Sequence, residues 1–418
     1  MRAELSDRRV IAWAFYDWAN SAFATTVMAG FFPLFFKLYW SKGADVTVST
    51  FNLGVANSLA SLTLVVLAPV LGAIADCGGA KKKFLAFFTF LGVVMTGSLY
   101  FVAAGEWLAA AILYALAAVG FSGGIIFYDS LIVSIADERR VDFVSGCGYA
   151  LGYLGGGILF AVNVWMTLDP ALFGFADAGE AVRTAFVTVA VWWALFAIPL
   201  FLFVPEPPVV QRVGGLEAVR AGFAQLVATL RELQSYRTVV LFLLAYWFYI
   251  DGVDTIIRMA VDYGLSLGFD SNSLIVALLI VQFIGFPAAV AFGWLGERIG
   301  PKRGIFIAIG VYLGVTLWAT ALSHVWQFYA MAVIVGLVQG GIQALSRSYY
   351  ARLIPPDKAA EFFGFYNMLG KFAAVIGPMM MGWVGLIFGS PRLAILSIAL
   401  LFLVGGTLLY FVEEKKGG

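Results

Sequence analysis

Asp17 and Asn20 stand three residues apart in the stretch AFYDWANSAFATT (residues 14–26), inside an otherwise apolar run. On a helix they share one face, which Ser21 and Ala24 continue as a narrow, polar and partly small stripe. A second stretch, YIDGVDTIIR (249–258), puts Asp251, Asp254 and Arg258 at i, i+3 and i+7, again one stripe, with Asp254 and Arg258 at ion-pair spacing. Two more apolar runs carry polar groups: Tyr128 and Asp129 in one, Gln339, Gln343 and Arg347 in the other. A carboxylate in such a place can receive an ammonium group or carry a proton, a guanidinium can take a carboxylate, and an amide can orient either. The alternative is mutual pairing, Asp254 with Arg258 and Asp129 with Arg347, as bridges that hold a gate. Both uses remain open on sequence, and so does a latch or helix-packing duty for Asp17.

The elements that must position these groups are membrane spans. Of the 418 residues, 62% are hydrophobic and 12% charged, and mean hydropathy is +0.92, whereas soluble chains are roughly a quarter charged. A charge at mid-bilayer costs about 2.5–3.5 kcal/mol on insertion scales, so it faces a cavity or a partner. Apolar runs near 11–39, 50–75, 84–104, 107–134, 143–167 and 184–204, then 238–262, 271–294, 304–323, 325–350, 362–388 and 392–412, are each long enough to cross a hydrocarbon core. Six plus six spans are expected: a bundle over 1–204, a polar linker over 205–237 and a second bundle over 238–418, all-α throughout.

Basic residues alternate with the spans. Arg8, Arg9, Lys81–Lys83, Arg139, Arg140, Arg220, Arg231, Lys302, Arg303, Arg352, Lys358, Lys415 and Lys416 fall on one side, against Lys42, Arg183 and Arg392 on the other. That bias predicts both termini in the cytoplasm. The first apolar run is longer than a signal peptide's and is expected to be retained. Cys77 and Cys147 both fall on the basic side, with no disulfide or metal signature. In the linker, Pro205 to Pro208 stop the sixth span, and Leu216, Val219, Phe223, Leu226, Val227, Leu230 and Leu233 recur at helical spacing. This helix lies either on the membrane surface or on the protein's own face.

The two halves repeat. GAIADCGGAKKK (72–83) and GWLGERIGPKR (293–303) match Gly72, Asp76, Gly79 and Lys81 to Gly293, Glu297, Gly300 and Lys302, at an offset of 221 each time. VDFVSGCGYALG (141–152) pairs with AEFFGFYNMLG (360–370), and Asp17 and Asn20 correspond to Asp251 and Asp254 at an offset of 234. In the loops, glycine allows close approach of helices, the acid suits a helix N-terminus, and the basic residues can meet Asp137 and Glu138 of the next loop on that side. A conformational latch is the expected role. The glycine run from Gly146 to Gly157 is expected to pack helices. Lys371 is expected to snorkel or neutralise an acid, and His324 to sit at an outer helix end.

With its paired inter-span loops the chain resembles the major facilitator superfamily over essentially its whole length. YDWANSAF (16–23) and AEFFGFYNMLGKFAAVIGP (360–378) are similar to signatures of the branch that includes fungal autophagy-related vacuolar amino-acid effluxers and many bacterial permeases. That resemblance implies two six-helix bundles that rock about a central cavity lined by the first, fourth, seventh and tenth spans. It also implies secondary transport of a small polar solute, amino acids first, by export, with proton exchange as the coupling. An exporter of lipophilic cations or lipid-like compounds is an alternative, and a non-transporting receptor or scaffold on the same fold is another. The chain contains no glycine-rich nucleotide-binding loop, catalytic dyad or metal-ligand spacing, so no enzyme activity, cofactor or nucleic-acid partner is expected. A monomer in a bacterial inner membrane is the expected setting.

Overall fold

The computed structural model describes residues 7–42, 46–207, 215–269 and 271–413. Among these, every regular element is helical: α1 (Arg8–Trp40), α2 (Val46–Gly78), α3 (Lys81–Ser98), α4 (Trp107–Ser130), α5 (Val141–Leu168), α6 (Ala178–Phe203), α7 (Gly215–Arg231), α8 (Arg237–Ser266), α9 (Ser271–Ile299), α10 (Pro301–Ala319), α11 (Val325–Leu353), α12 (Ala359–Phe388) and α13 (Pro391–Tyr410). Ten of them are long and apolar enough to cross a bilayer by length and composition. The 33-residue α2 and 30-residue α12 contain the shorter apolar stretches Leu67–Gly78 and Ile376–Phe388. With these two, the long helices other than α7 match the twelve expected spans one for one.

Two helices depart from an unbroken α-helical ladder for local reasons. In α1 the backbone widens to π-helical turns over Phe23–Phe31 and again over Phe36–Trp40, on either side of Pro33. Proline removes an amide donor and crowds the preceding turn, and π-turns gather at functional positions. In α12, Pro378 does the same, and the neighbouring Gly377 N–H donates to both carboxylate oxygens of Asp251 on α8, at 3.0 and 3.1 Å. A backbone donor inside the membrane needs a partner, and this buried aspartate supplies one.

The repeat acquires a structural basis. Gly79 and Gly300 both adopt positive φ, 56° and 87°, and end their helices in the left-handed region open to glycine. Lys82 Nζ then donates to the carbonyls of Phe201 and Val204 at the end of α6, and Lys302 Nζ donates to those of Tyr410 and Val412 at the end of α13. By function Lys302 therefore matches Lys82, one position from the sequence pairing with Lys81. The reason is a one-residue difference in where α3 and α10 begin after the glycine. The start of α3 is capped by a carboxylate, Glu206, which accepts from the backbone of Lys81 and Lys82 at 2.7 and 3.0 Å.

At the end that carries the basic loops, the halves close on each other through glycines. A side chain on Gly72 would overlap the Ala360 carbonyl, and one at Gly364 would meet Ala68 and Pro69 backbone at 2.7–2.8 Å. Gly146 lies equally close to Ala289 and Gly293 across the second seam. Helix α7 packs on α2 at Gly222, with Ala218 and Thr229 buried on the same side, while Leu216, Phe223, Val227 and Leu230 stay exposed. Of the two expected settings for this helix, the protein's own face takes one side and leaves the apolar stripe uncovered.

Candidate functional site

Between the halves lies a cavity of about 390 Å³. Its floor holds Asp17, Asn20, Asp129, Tyr149, Tyr153, Gln339, Gln343 and Arg347, and its walls, with Gly30, Phe160, Leu274, Phe328 and Met331, run toward the end opposite the basic loops. The walls are mainly apolar. Polar groups are concentrated at the closed end.

Arg347 organises that floor. It is 1% exposed, yet every face of its guanidinium is occupied. Nη1 lies 3.3 Å from Asp17 Oδ2 and 3.1 Å from Asp129 Oδ1. Nε donates to the Ser145 hydroxyl and Nη2 to the Ser145 carbonyl, both at 2.9 Å. The rings of Trp13 and Tyr149 flank the guanidinium, with centroids 4.8 and 4.3 Å away. Tyr128 stacks on Trp13 and donates to Asp17 Oδ2 at 2.7 Å; Asn367 donates to the other Asp129 oxygen. One arginine thus ties α11 to α1, α4 and α5, and Asn367 adds α12.

The sequence supports this locally. Ser145, Tyr149 and Tyr153 follow one another at four-residue steps on α5, so all three face the cavity side. Gly148 between them lacks a side chain because one there would meet Asp17 Oδ2 at 2.6 Å and Arg347 Nη2 at 2.8 Å. Gly152 likewise makes room for Ser21. The glycine run read as a packing device is also what lets charged groups from α1 and α11 lie against α5.

The other expected residues are distributed as follows. Gln343 accepts from Tyr153 at 3.1 Å, across the halves. Asn20 Nδ2 and Gln339 Oε1 are buried and have no protein partner, a donor and an acceptor lining the same cavity. Asp251 lies outside the lining: it is fully buried and spent on Gly377 and on Thr255, which donates at 3.2 Å. Asp254 is half-buried one turn on. The side chains of Arg258 and Lys371 lie outside the described residues.

The loop residues make a separate cluster at the closed end. Asp76 pairs with the buried Lys81 at 2.8 Å and accepts from the first amides of α12, Ala360 at 3.2 Å and Glu361 at 2.8 Å. An acid of one half therefore caps a helix of the other. Asp142 pairs with Arg352 across the second seam, where α5 meets α9 and α11. Glu138 is exposed, and Asp137 bonds its own loop, through Arg139 N and Arg140 N, in place of the expected contact with Lys81. Gly293 sits against Asp142 and Gly146, beside Glu297 on the same helix.

Trp13, Ser145, Tyr149, Tyr153 and Asn367 join the site from outside the polar positions that stand out in the sequence. The four-residue period on α5 was the available signal for three of them. Nothing in the local sequence marks Trp13, whose role comes from lying between Tyr128 and Arg347.

A twelve-span helical bundle in two halves around a central, polar-floored cavity is the architecture of the major facilitator superfamily. Solved structures agree: the human organic anion transporter MFSD10 (TETRAN) aligns with a TM-score of 0.70 at 18% identity, over 96% of this chain and 99% of that one. The proton:xylose symporter XylE aligns at 0.71 and 14% identity, over 97% and 94%. Within that superfamily, the family model described as "Vacuole effluxer Atg22 like" matches residues 37–142 and 133–418, and the chain belongs to this family. An uncharacterized MFS-type transporter, YxiO, of Bacillus subtilis (strain 168) is 38% identical over 97% of this chain and 94% of its own length. Autophagy-related protein 22 of Eremothecium gossypii is 23% identical over 91% and 85%.

Proposed function

We propose that the chain is a secondary transporter that exports a small solute bearing an amino group, with amino acids the first class to test. The observation that carries this reading is the charge count of the floor: two carboxylates, Asp17 and Asp129, share one guanidinium, Arg347. With both acids ionised, the trio has one negative charge in excess. A proton or a substrate ammonium neutralises it, and the two exclude each other. Loading one from either side and releasing the other is exchange, the coupling suited to export down a proton gradient. The uncapped donor of Asn20 and acceptor of Gln339 are free to fix the rest of the solute. Rocking of the halves about the floor, with the basic end cytoplasmic in a bacterial inner membrane, completes the cycle.

The test is flux in proteoliposomes across an imposed pH gradient, with an amino-acid panel. Gradient-driven accumulation of one class, abolished in Asp17→Asn, supports the reading; accumulation unchanged in that variant overturns the role given to the floor. The apolar walls, among them Phe160, Leu274, Phe328 and Met331, favour a second reading, an exporter of lipophilic cations. Competition between amino acids and such cations for ligand-induced thermal stabilisation separates the two.

A further inference from the structure

Helix α7 has three separate faces. Ala218, Gly222, Gln225 and Thr229 follow at steps of four, three and four residues and form one stripe. This stripe is the docked one: Gly222 lies so close to Ile74 of α2 that a side chain there would meet its backbone at 2.8 Å. Roughly opposite, by helical spacing, stand Leu216, Phe223, Val227 and Leu230, all exposed, Leu216 to 67%. Glu217, Arg220 and Arg231 make a third, charged stripe beside them. A helix docked on one side, with its far side divided between apolar and charged residues, fits the line where protein, lipid and water meet. The chain on either side supports that level, since α6 ends at Phe203 and α8 begins at Arg237, both spans.

The docked stripe also reaches the gate. Gln225 donates to Glu361 of α12 at 2.6 Å and accepts from Cys77 of α2 at 3.2 Å, so one amide bridges the two halves. Lys358, just before α12, donates to Thr229 at 3.3 Å. Glu361 is the residue whose own amide is held by Asp76. When the basic end opens, α12 must leave α2, and these bonds must break.

We infer that α7 is a membrane-seated strap: its apolar stripe rests in the lipid interface, and its opposite stripe holds the basic end shut across both halves. The seat restrains the strap, so the closed state of the gate depends on the membrane surface as well as on contacts within the protein. None of this depends on the cargo.

The test uses the full chain in nanodiscs of phosphatidylcholine and phosphatidylglycerol, with Cys77→Ser and Cys147→Ser. A fluorophore on Val227→Cys is expected to be quenched by doxyl-labelled lipid and little by aqueous iodide; on Arg220→Cys the order reverses. Iodide quenching at 227 as strong as at 220 overturns the lipid seat, and points to open water or a soluble partner. In the same background, spin labels on Glu138→Cys and Asp357→Cys report separation of the basic ends without any substrate. Gln225→Leu is expected to raise the open-to-closed ratio by about fivefold, the effect of one lost hydrogen bond, and Gly222→Leu by at least as much. An unchanged distance distribution in Gln225→Leu overturns the strap, whether or not Gly222→Leu folds.

Discussion

Arg347 shows how much one side chain can carry when its partners come from different helices. Replacing it with methionine keeps the volume and leaves Asp17 and Asp129 buried without their counter-ion. A broken buried pair costs about 3–5 kcal/mol, so Arg347→Met is expected to lose that much in denaturation of the purified protein, far more than Asp17→Asn. Arg347→Lys is expected to fare little better, because three donors on a point charge cannot reproduce a planar fork that reaches Asp17, Asp129 and Ser145 together. The same denaturation series checks it: full recovery by lysine would mean that charge alone matters. Asp129 and Arg347 were legible as a pair because both are charges in apolar runs. Their third partner was not, since Asp17 reaches Arg347 only through the close approach that Gly148 permits.

Among the elements, α12 and α8 make a matched pair. Pro378 interrupts the hydrogen-bond ladder of α12, and Asp251 accepts the neighbouring Gly377 N–H. Asp251→Leu leaves that donor unsatisfied and is expected to cost about 1–3 kcal/mol; Asp251→Asn keeps an acceptor and is expected to cost less. Pro378→Ala restores the helical ladder, so the double variant Pro378→Ala with Asp251→Leu should lose less than the sum of the single changes. Additive losses by thermal denaturation would detach the aspartate from the proline. From sequence, Asp251 and Asp17 look alike, acids at matched positions of a repeat. They part because α12 has a proline where the corresponding α5 continues without one, and a repeat cannot announce which copy has lost its symmetry.

For the whole molecule, the spans were readable to within about six residues at each end, because hydrocarbon thickness fixes their length. What closes one end was readable only in part. Gly72, Asp76 and Lys81 stand out as a loop motif, but that Asp76 holds the amides of α12 depends on a contact across 284 residues of chain. The closed end relies on glycine contacts at both seams, which yields a prediction at this scale. Gly72→Val and Gly364→Val are expected to shift the resting population toward an open basic end, read as faster labelling of a cysteine placed at Ser145 in a background free of Cys77 and Cys147. Unchanged labelling in both would show that the α2–α12 seam tolerates separation without opening.

The shared arginine also bears on how the protein is made. Asp17 and Asp129 leave the ribosome long before Arg347, which trails Asp129 by 218 residues. At about 5–20 residues per second the wait is roughly 10–45 seconds. Throughout it, a nascent first half sits in the membrane with two acids and no arginine to meet them. That interval is a window for holding factors and membrane proteases. A truncated chain ending at residue 207 is expected to be degraded quickly, and to be rescued when the second half is expressed beside it.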